Sequence, residues 1–151
     1  MDKKEIQDVT RAYFKSIGFQ VLKKTRFFYD NDELTLQVLM DHSHFADLYT
    51  FYYYFRIKSL HPEIKSMLND EVWDTFGGVL TYTYKKGFRV EYALWTKEKF
   101  LKELDFLVKK NLMPIITEGI PYIKKLAKDD RALDAYIDFN DKMRERILSL
   151  K

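Results

Sequence analysis

Apolar side chains at Ile6, Val9, Tyr13 and Ile17 recur every three or four positions, which predicts a helix over residues 2–17 with one buried stripe. Asp2 and Glu5 have capping-box spacing at its start, and Gly18 suits its C-terminal end. The period then shortens to two. Leu34, Leu36, Val38 and Met40 share one face, and Asp30-Asn31-Asp32 supplies turn chemistry, so a hairpin is expected of residues 24–29 with 33–40. A third strand is expected over 48–58. There Tyr49, Phe51, Tyr53, Phe55 and Ile57 point one way, while Thr50, Tyr52, Tyr54, Arg56 and Lys58 point the other. A strand with rings on both faces belongs in the interior of a sheet with its second side partly covered.

Residues 59–71 read as a polar connection around His61-Pro62. A second hairpin is expected of 79–84 with 88–94, turning at Lys86-Gly87. Gly77-Gly78 before it marks a bulge or a close approach to the backbone. Helical spacing returns after Thr96, a good N-cap, with Trp95 and Phe100 placed as a hydrophobic staple and Phe100, Leu101, Leu104, Leu107 and Val108 as the buried face. Asn111 ends that helix. Pro114 opens a shorter one that Gly119 and Pro121 interrupt, and a last helix is expected from Asp130 onward. The order predicts an α+β fold in a single domain, 1–151: an N-terminal helix, an antiparallel sheet of about five strands, and three C-terminal helices.

Several residues carry a resemblance to a family of bacterial domains of unknown function. They are Gly18-Phe19 after the first helix, Leu22-Lys23-Lys24 before Arg26-Phe27-Phe28, Leu36 and Gln37 in the second strand, and Trp95 ahead of the helix that reaches "NLMPIITEG". The similarity spans about residues 8–120 and leaves out the aromatic third strand and the C-terminal helix. It implies the same fold and brings no catalytic residues with it.

Composition narrows the function. The chain has 151 residues, 46% of them hydrophobic, 32% charged and 17% aromatic, which suits one well-buried core. It has no cysteine, hence no disulfide framework and no thiolate chemistry. No window approaches the roughly 20 apolar residues of a membrane span, and no signal peptide opens the chain, so a cytosolic location and no membrane partner are expected. The net charge is +3, with 10 basic and 12 acidic residues in 1–75 against 16 and 11 in 76–151. That excess is too small to argue for nucleic acid.

Three motifs bear on function. Asp41, His42, His44 and Asp47 form the only histidine cluster, with alternate histidines spaced to chelate a zinc-like ion. It resembles a metallo-hydrolase signature, but the aspartate falls one place late and no histidine follows. A polar loop between strands explains the same residues. "KGFRVEY" (86–92) is similar to the RNA-recognition strand motif but one residue short, and cross-strand aromatic pairs that stabilise a sheet are the favoured account of it. Gly-rich phosphate loops and nucleophile elbows are missing. Carboxylates such as Asp70, Glu71 and Asp74 lack any context that marks a catalytic acid. Finally, Leu133, Tyr136, Asn140, Met143, Ile147 and Leu150 have heptad spacing on the expected last helix.

The reading that results is a non-catalytic, cofactor-free protein that binds a protein partner through an aromatic sheet face, in the manner of an immunity or antitoxin-like regulator. Its expected ligand-binding residues are Tyr52, Tyr54, Arg56, Lys58, Tyr82 and Tyr84. The alternatives are a single-stranded nucleic-acid binder using the same residues, and a metal-dependent hydrolase using the Asp41/His42/His44/Asp47 cluster. A monomer is favoured over a homodimer paired through the heptad seam.

Overall fold

A computed structural model describes residues 1–65 and 72–151. Helix α1 (Lys3–Ser16) begins as its sequence predicts: the Asp2 carboxylate accepts a hydrogen bond from the Glu5 amide at 2.7 Å, satisfying one of the donors that a helix start leaves open. Five strands follow: β1 (Gln20–Lys23), β2 (Arg26–Asp30), β3 (Leu34–His42), β4 (Tyr49–Ile57) and β5 (Thr75–Val79). They form an antiparallel sheet in that order. Its far edge is closed by β9 (Tyr136–Phe139), and the short β8 (Arg89–Val90) pairs with the start of β4. The result is an α+β fold whose main sheet has seven strands among the described residues.

One face of this sheet is the core. The cross-strand row Val21–Phe27–Val38–Tyr53–Gly78–Ile137 runs across six strands, and the neighbouring positions Met40, Phe51, Leu36 and Phe55 are fully or almost fully buried. Helices cover it. Phe14 of α1 stacks on Phe27 at 4.8 Å, and Phe100 of α2 (Lys97–Asn111) lies 6.1 Å from Phe51, with Phe88 against both. The expected N-cap holds, since Thr96 Oγ1 accepts from the Lys99 amide. Tyr13 ties the two helices together by donating to Asp105. Helices α3 (Met113–Glu118) and α4 (Ile120–Asp129) continue the layer, separated at Gly119, which adopts φ 66°.

The C-terminal expectation is overturned. Instead of a helix from Asp130, the chain makes a 3-10 turn (Arg131–Leu133), enters the left-handed region at Asp134, adds β9, and only then forms helix α5 (Asp141–Leu148) with Asn140 as N-cap. The heptad seam therefore does not exist as one face. Leu133 sits in the turn, Tyr136 in the strand, Asn140 at the cap, and Met143 and Ile147 in α5. The physical reason is a competing period. Ala135, Ile137 and Phe139 alternate with Tyr136 and Asp138, and as a strand they bury three apolar side chains while pairing the open edge of β5.

The second hairpin is also displaced. β6 (Thr81–Thr83) pairs with β7 (Lys86–Gly87) in a separate two-stranded ribbon turning at Tyr84-Lys85, so Lys86-Gly87 is strand rather than turn. Beyond it Arg89-Val90 returns to β4. The end of the 59–71 connection, with Asp70 and Glu71, lies outside the described residues.

Asp74 joins four segments at the end of β4. Its Oδ1 accepts from His61 Nε2 at 2.5 Å and its Oδ2 from the Ile57 amide at 2.7 Å. Its own amide donates to the Phe55 carbonyl, and its carbonyl accepts from the amide of Asn140. The carboxylate is fully buried, so every partner it loses stays dry.

Two substitutions test this architecture by chemical denaturation. Phe51→Ala should lower stability by about 3–5 kcal/mol, through lost burial and the cavity left behind. Asp74→Ala should cost about 2–5 kcal/mol, because two buried donors lose their acceptor.

Candidate functional site

The face of the sheet opposite the helices carries the second set of β4 side chains. Thr50, Tyr52 and Tyr54 are half-buried there and form the floor of a groove of about 500 Å³. Its walls come from β5, β9 and the ribbon, and a β-bulge shapes one of them. Thr75 pairs with Phe139 but Gly77 pairs with Asp138, which leaves Phe76 as the extra residue, turned outward and 70% exposed above the floor. On β9, Tyr136 and Asp138 project to the same side, beside Val79 and Gly77 respectively.

The two glycines expected to mark a bulge or a close approach mark both. A Cβ on Gly78 would lie 2.4 Å from Tyr53 Cζ on the core side, and one on Gly77 would lie 3.3 Å from Tyr54 Cε1 on the groove side. Successive tyrosines of β4 thus lie flat over successive glycines of β5, one on each face. Gly77 also has φ 153°, a conformation that side chains other than hydrogen resist. Burial pushes the Tyr54 phenol above its ordinary pKa, with the Tyr52 phenol and Asp41 adding to the shift, so it stays protonated and offers a hydrogen-bond donor at neutral pH.

Charge in the groove is arranged by register. Arg89 pairs beside Thr50 at one end, and Asp138 lies beside Gly77, next to Tyr54, at the other. Thr50 and Tyr54 are four residues apart on one strand, roughly 13 Å.

Of the six residues expected to bind, the structure brings only Tyr52 and Tyr54 together. Arg56 is buried, its guanidinium 5.4 Å from the Trp73 ring centroid. Trp73 also lies against Phe28 and Tyr54, so it covers that end of the sheet face. Lys58 falls beyond β4 in a 3-10 turn and pairs with Asp30 at 3.0 Å. Tyr84 takes part in the ribbon turn, between Lys85 and Arg131, and its amide donates to Asp134. Tyr82 faces α2, where its hydroxyl donates to Glu103 at 2.9 Å; burial and that carboxylate together hold its pKa well above the usual tyrosine value.

Tyr82 belongs to a second pocket, about 350 Å³, between the ribbon and the start of α2. Lys86 lies over the Tyr82 ring at 5.0 Å and Lys99 over the Trp95 ring at 4.7 Å. Gly87 and Arg89 line both this pocket and the groove, so the two meet at the ribbon.

The histidine cluster is dispersed. His42 ends β3 with both ring nitrogens engaged: Nδ1 donates to the Ser43 carbonyl at 2.7 Å, and Nε2 meets the Tyr92 hydroxyl at 3.2 Å. Its ring packs against Tyr49 and Tyr92. His44 and Asp47 sit in the exposed loop that follows, around a Phe45 that is 99% exposed, and Asp41 is exposed on β3. Among the described residues, no group of three or more such side chains is arranged to hold a metal ion. No helix among them is long and apolar enough to cross a membrane.

No protein-family model, curated protein or solved structure matches the chain.

Gly77→Ala should test the geometry of the groove. Backbone strain and the crowded Tyr54 ring should lower stability by about 1–3 kcal/mol. Gly87→Ala is the control, since its Cβ would meet only Val79 Cγ1 at an ordinary 3.5 Å. Thermal melts of the two variants should separate clearly.

Proposed function

We propose that this is a non-catalytic cytosolic protein that holds an extended segment of a protein partner in the groove above Tyr52 and Tyr54. The observation that carries the reading is the composition of that groove. Its rings are rigid, partly exposed and amphipathic, which gives large contact area at small entropic cost. Its polar groups are hydroxyls, one guanidinium and one carboxylate, a set suited to hydrogen bonding and orientation. Arg89 is balanced by Asp138, whereas a groove tracking a phosphate backbone gains from a consistent positive charge. An immunity or antitoxin-like regulator is a function of this kind, since it acts by occupying its partner and needs a complementary surface rather than reactive groups.

Selection of displayed 12-residue peptides on the protein tests the reading. Enriched peptides should bind with micromolar affinity and lose at least tenfold, about 1.4 kcal/mol, on Tyr54→Ala. The melting temperature of Tyr54→Ala should confirm that the variant stays folded. Failure of any peptide to enrich, or enriched peptides indifferent to Tyr54→Ala and Tyr136→Ser, would count against the groove.

A further inference from the structure

We infer that the partner segment is acidic at the end that lies over the ribbon, with its carboxylates received by Lys86, Arg89 and Lys99. This rests on the groove reading and adds the chemistry of what the groove accepts. Three observations converge on it. First, Arg89 and Gly87 line both cavities, so a chain extended along the floor from Asp138 past Tyr52 reaches the second pocket at the ribbon. Second, the charge along that track is graded. It starts at Asp138, the carboxylate that lines the groove, passes Asp41, which pairs beside Thr50 on β3, and ends among three exposed cations, where the carboxylate lining the second pocket, Glu103, already accepts the Tyr82 hydroxyl. Third, the ring faces of the second pocket are occupied by the protein's own cations, Lys86 over Tyr82 and Lys99 over Trp95.

The third observation decides between acidic ligands. A single-stranded nucleic acid gains from stacking its bases on open aromatic faces. Here those faces are covered, and uncovering them would forfeit two cation–π contacts. Carboxylates need only the ammonium and guanidinium groups, which remain exposed to a ligand. An acidic peptide therefore uses the pocket as it stands. A complementary basic side chain on the segment would meet Asp138, so the track also fixes the direction in which the partner lies.

The test uses the full chain and three fluorescent probes, read by anisotropy. Two are ten-residue peptides with the same Tyr/Leu-rich centre, one ending in three glutamates and the other in three lysines, each made with the charged end at either terminus. The third is a ten-nucleotide oligothymidine. The glutamate probe should bind at least tenfold tighter than the lysine probe, and its affinity should fall as salt rises from 50 to 300 mM. Lys86→Glu with Lys99→Glu should abolish or invert that preference; the variant loses two cation–π contacts, so a thermal melt checks that it stays folded at the assay temperature. Equal binding of the two peptides, or a preference that survives the double charge reversal, overturns the inference. Tighter binding of the oligothymidine overturns it in favour of nucleic acid. Tyr54→Ala separates the two levels: if it weakens both peptides while the charge reversal changes nothing, the groove stands and only the acidic specificity falls.

Discussion

Two tyrosines lying on two glycines set the layout of this molecule. Tyr53 and Tyr54 are consecutive, so they point to opposite faces of β4, and Gly78 and Gly77 clear a place for each on β5. On the core side the Tyr53 ring occupies the volume that a β5 side chain would have filled. On the other side the Tyr54 ring becomes the floor of the groove. Any side chain at either glycine would push the two strands apart or tilt a ring, so packing of the core and shape of the binding face depend on the same short contact. Glycine here is not a concession to flexibility; it admits a large, rigid neighbour.

The bulge extends that logic. By inserting Phe76 opposite the Asp138–Phe139 step, it rotates one aromatic side chain out of the sheet plane and over the floor, while Thr75 keeps its place in the ladder. Asp74, immediately before it, is anchored on all sides through His61, Ile57, Phe55 and Asn140. A strained strand is thus held at its start by a buried carboxylate. That anchoring is what allows irregular backbone to persist beside an open cavity.

Much of the framework was legible in the sequence because its signals are local. The Asp2 cap of α1, the alternation of 34–40, the two-faced strand at β4 and the Thr96 cap each lie within a few residues, and each appears where expected, whereas the stripe that α1 buries runs through Ile6, Thr10 and Phe14 and leaves Val9, Tyr13 and Ile17 half-buried. The groove's floor was legible for the same reason: alternation alone places Tyr52 and Tyr54 on one face. Its walls were not. Phe76, Arg89, Tyr136 and Asp138 reach the site only through a bulge and through pairings that join distant segments. Arg56 and Lys58 were assigned by extending the alternation of β4 to its end, where Trp73 covers one and the chain turns away with the other. The C-terminal stretch misled because Leu133, Met143 and Ile147 satisfy a helical period across an interval in which Ala135, Ile137 and Phe139 satisfy a shorter one. The burial offered by an unpaired sheet edge, which no local window contains, decides between them.

That edge has a consequence in time. β5 finds its inner neighbour, β4, across a short interval of chain, but its outer neighbour lies beyond three intervening helices, some sixty residues later. During synthesis on the ribosome the glycine-bearing rim of β5 emerges long before the strand that seals it. For that interval it presents bare amides and carbonyls, next to Phe76, to any other chain in reach. Closing a loop of that size is slow compared with pairing β2 to β3 or forming α2. The last step of folding should therefore be the docking of residues 136–139, and crowded or overproduced chains should fail there first, by rim-to-rim pairing of half-sealed sheets.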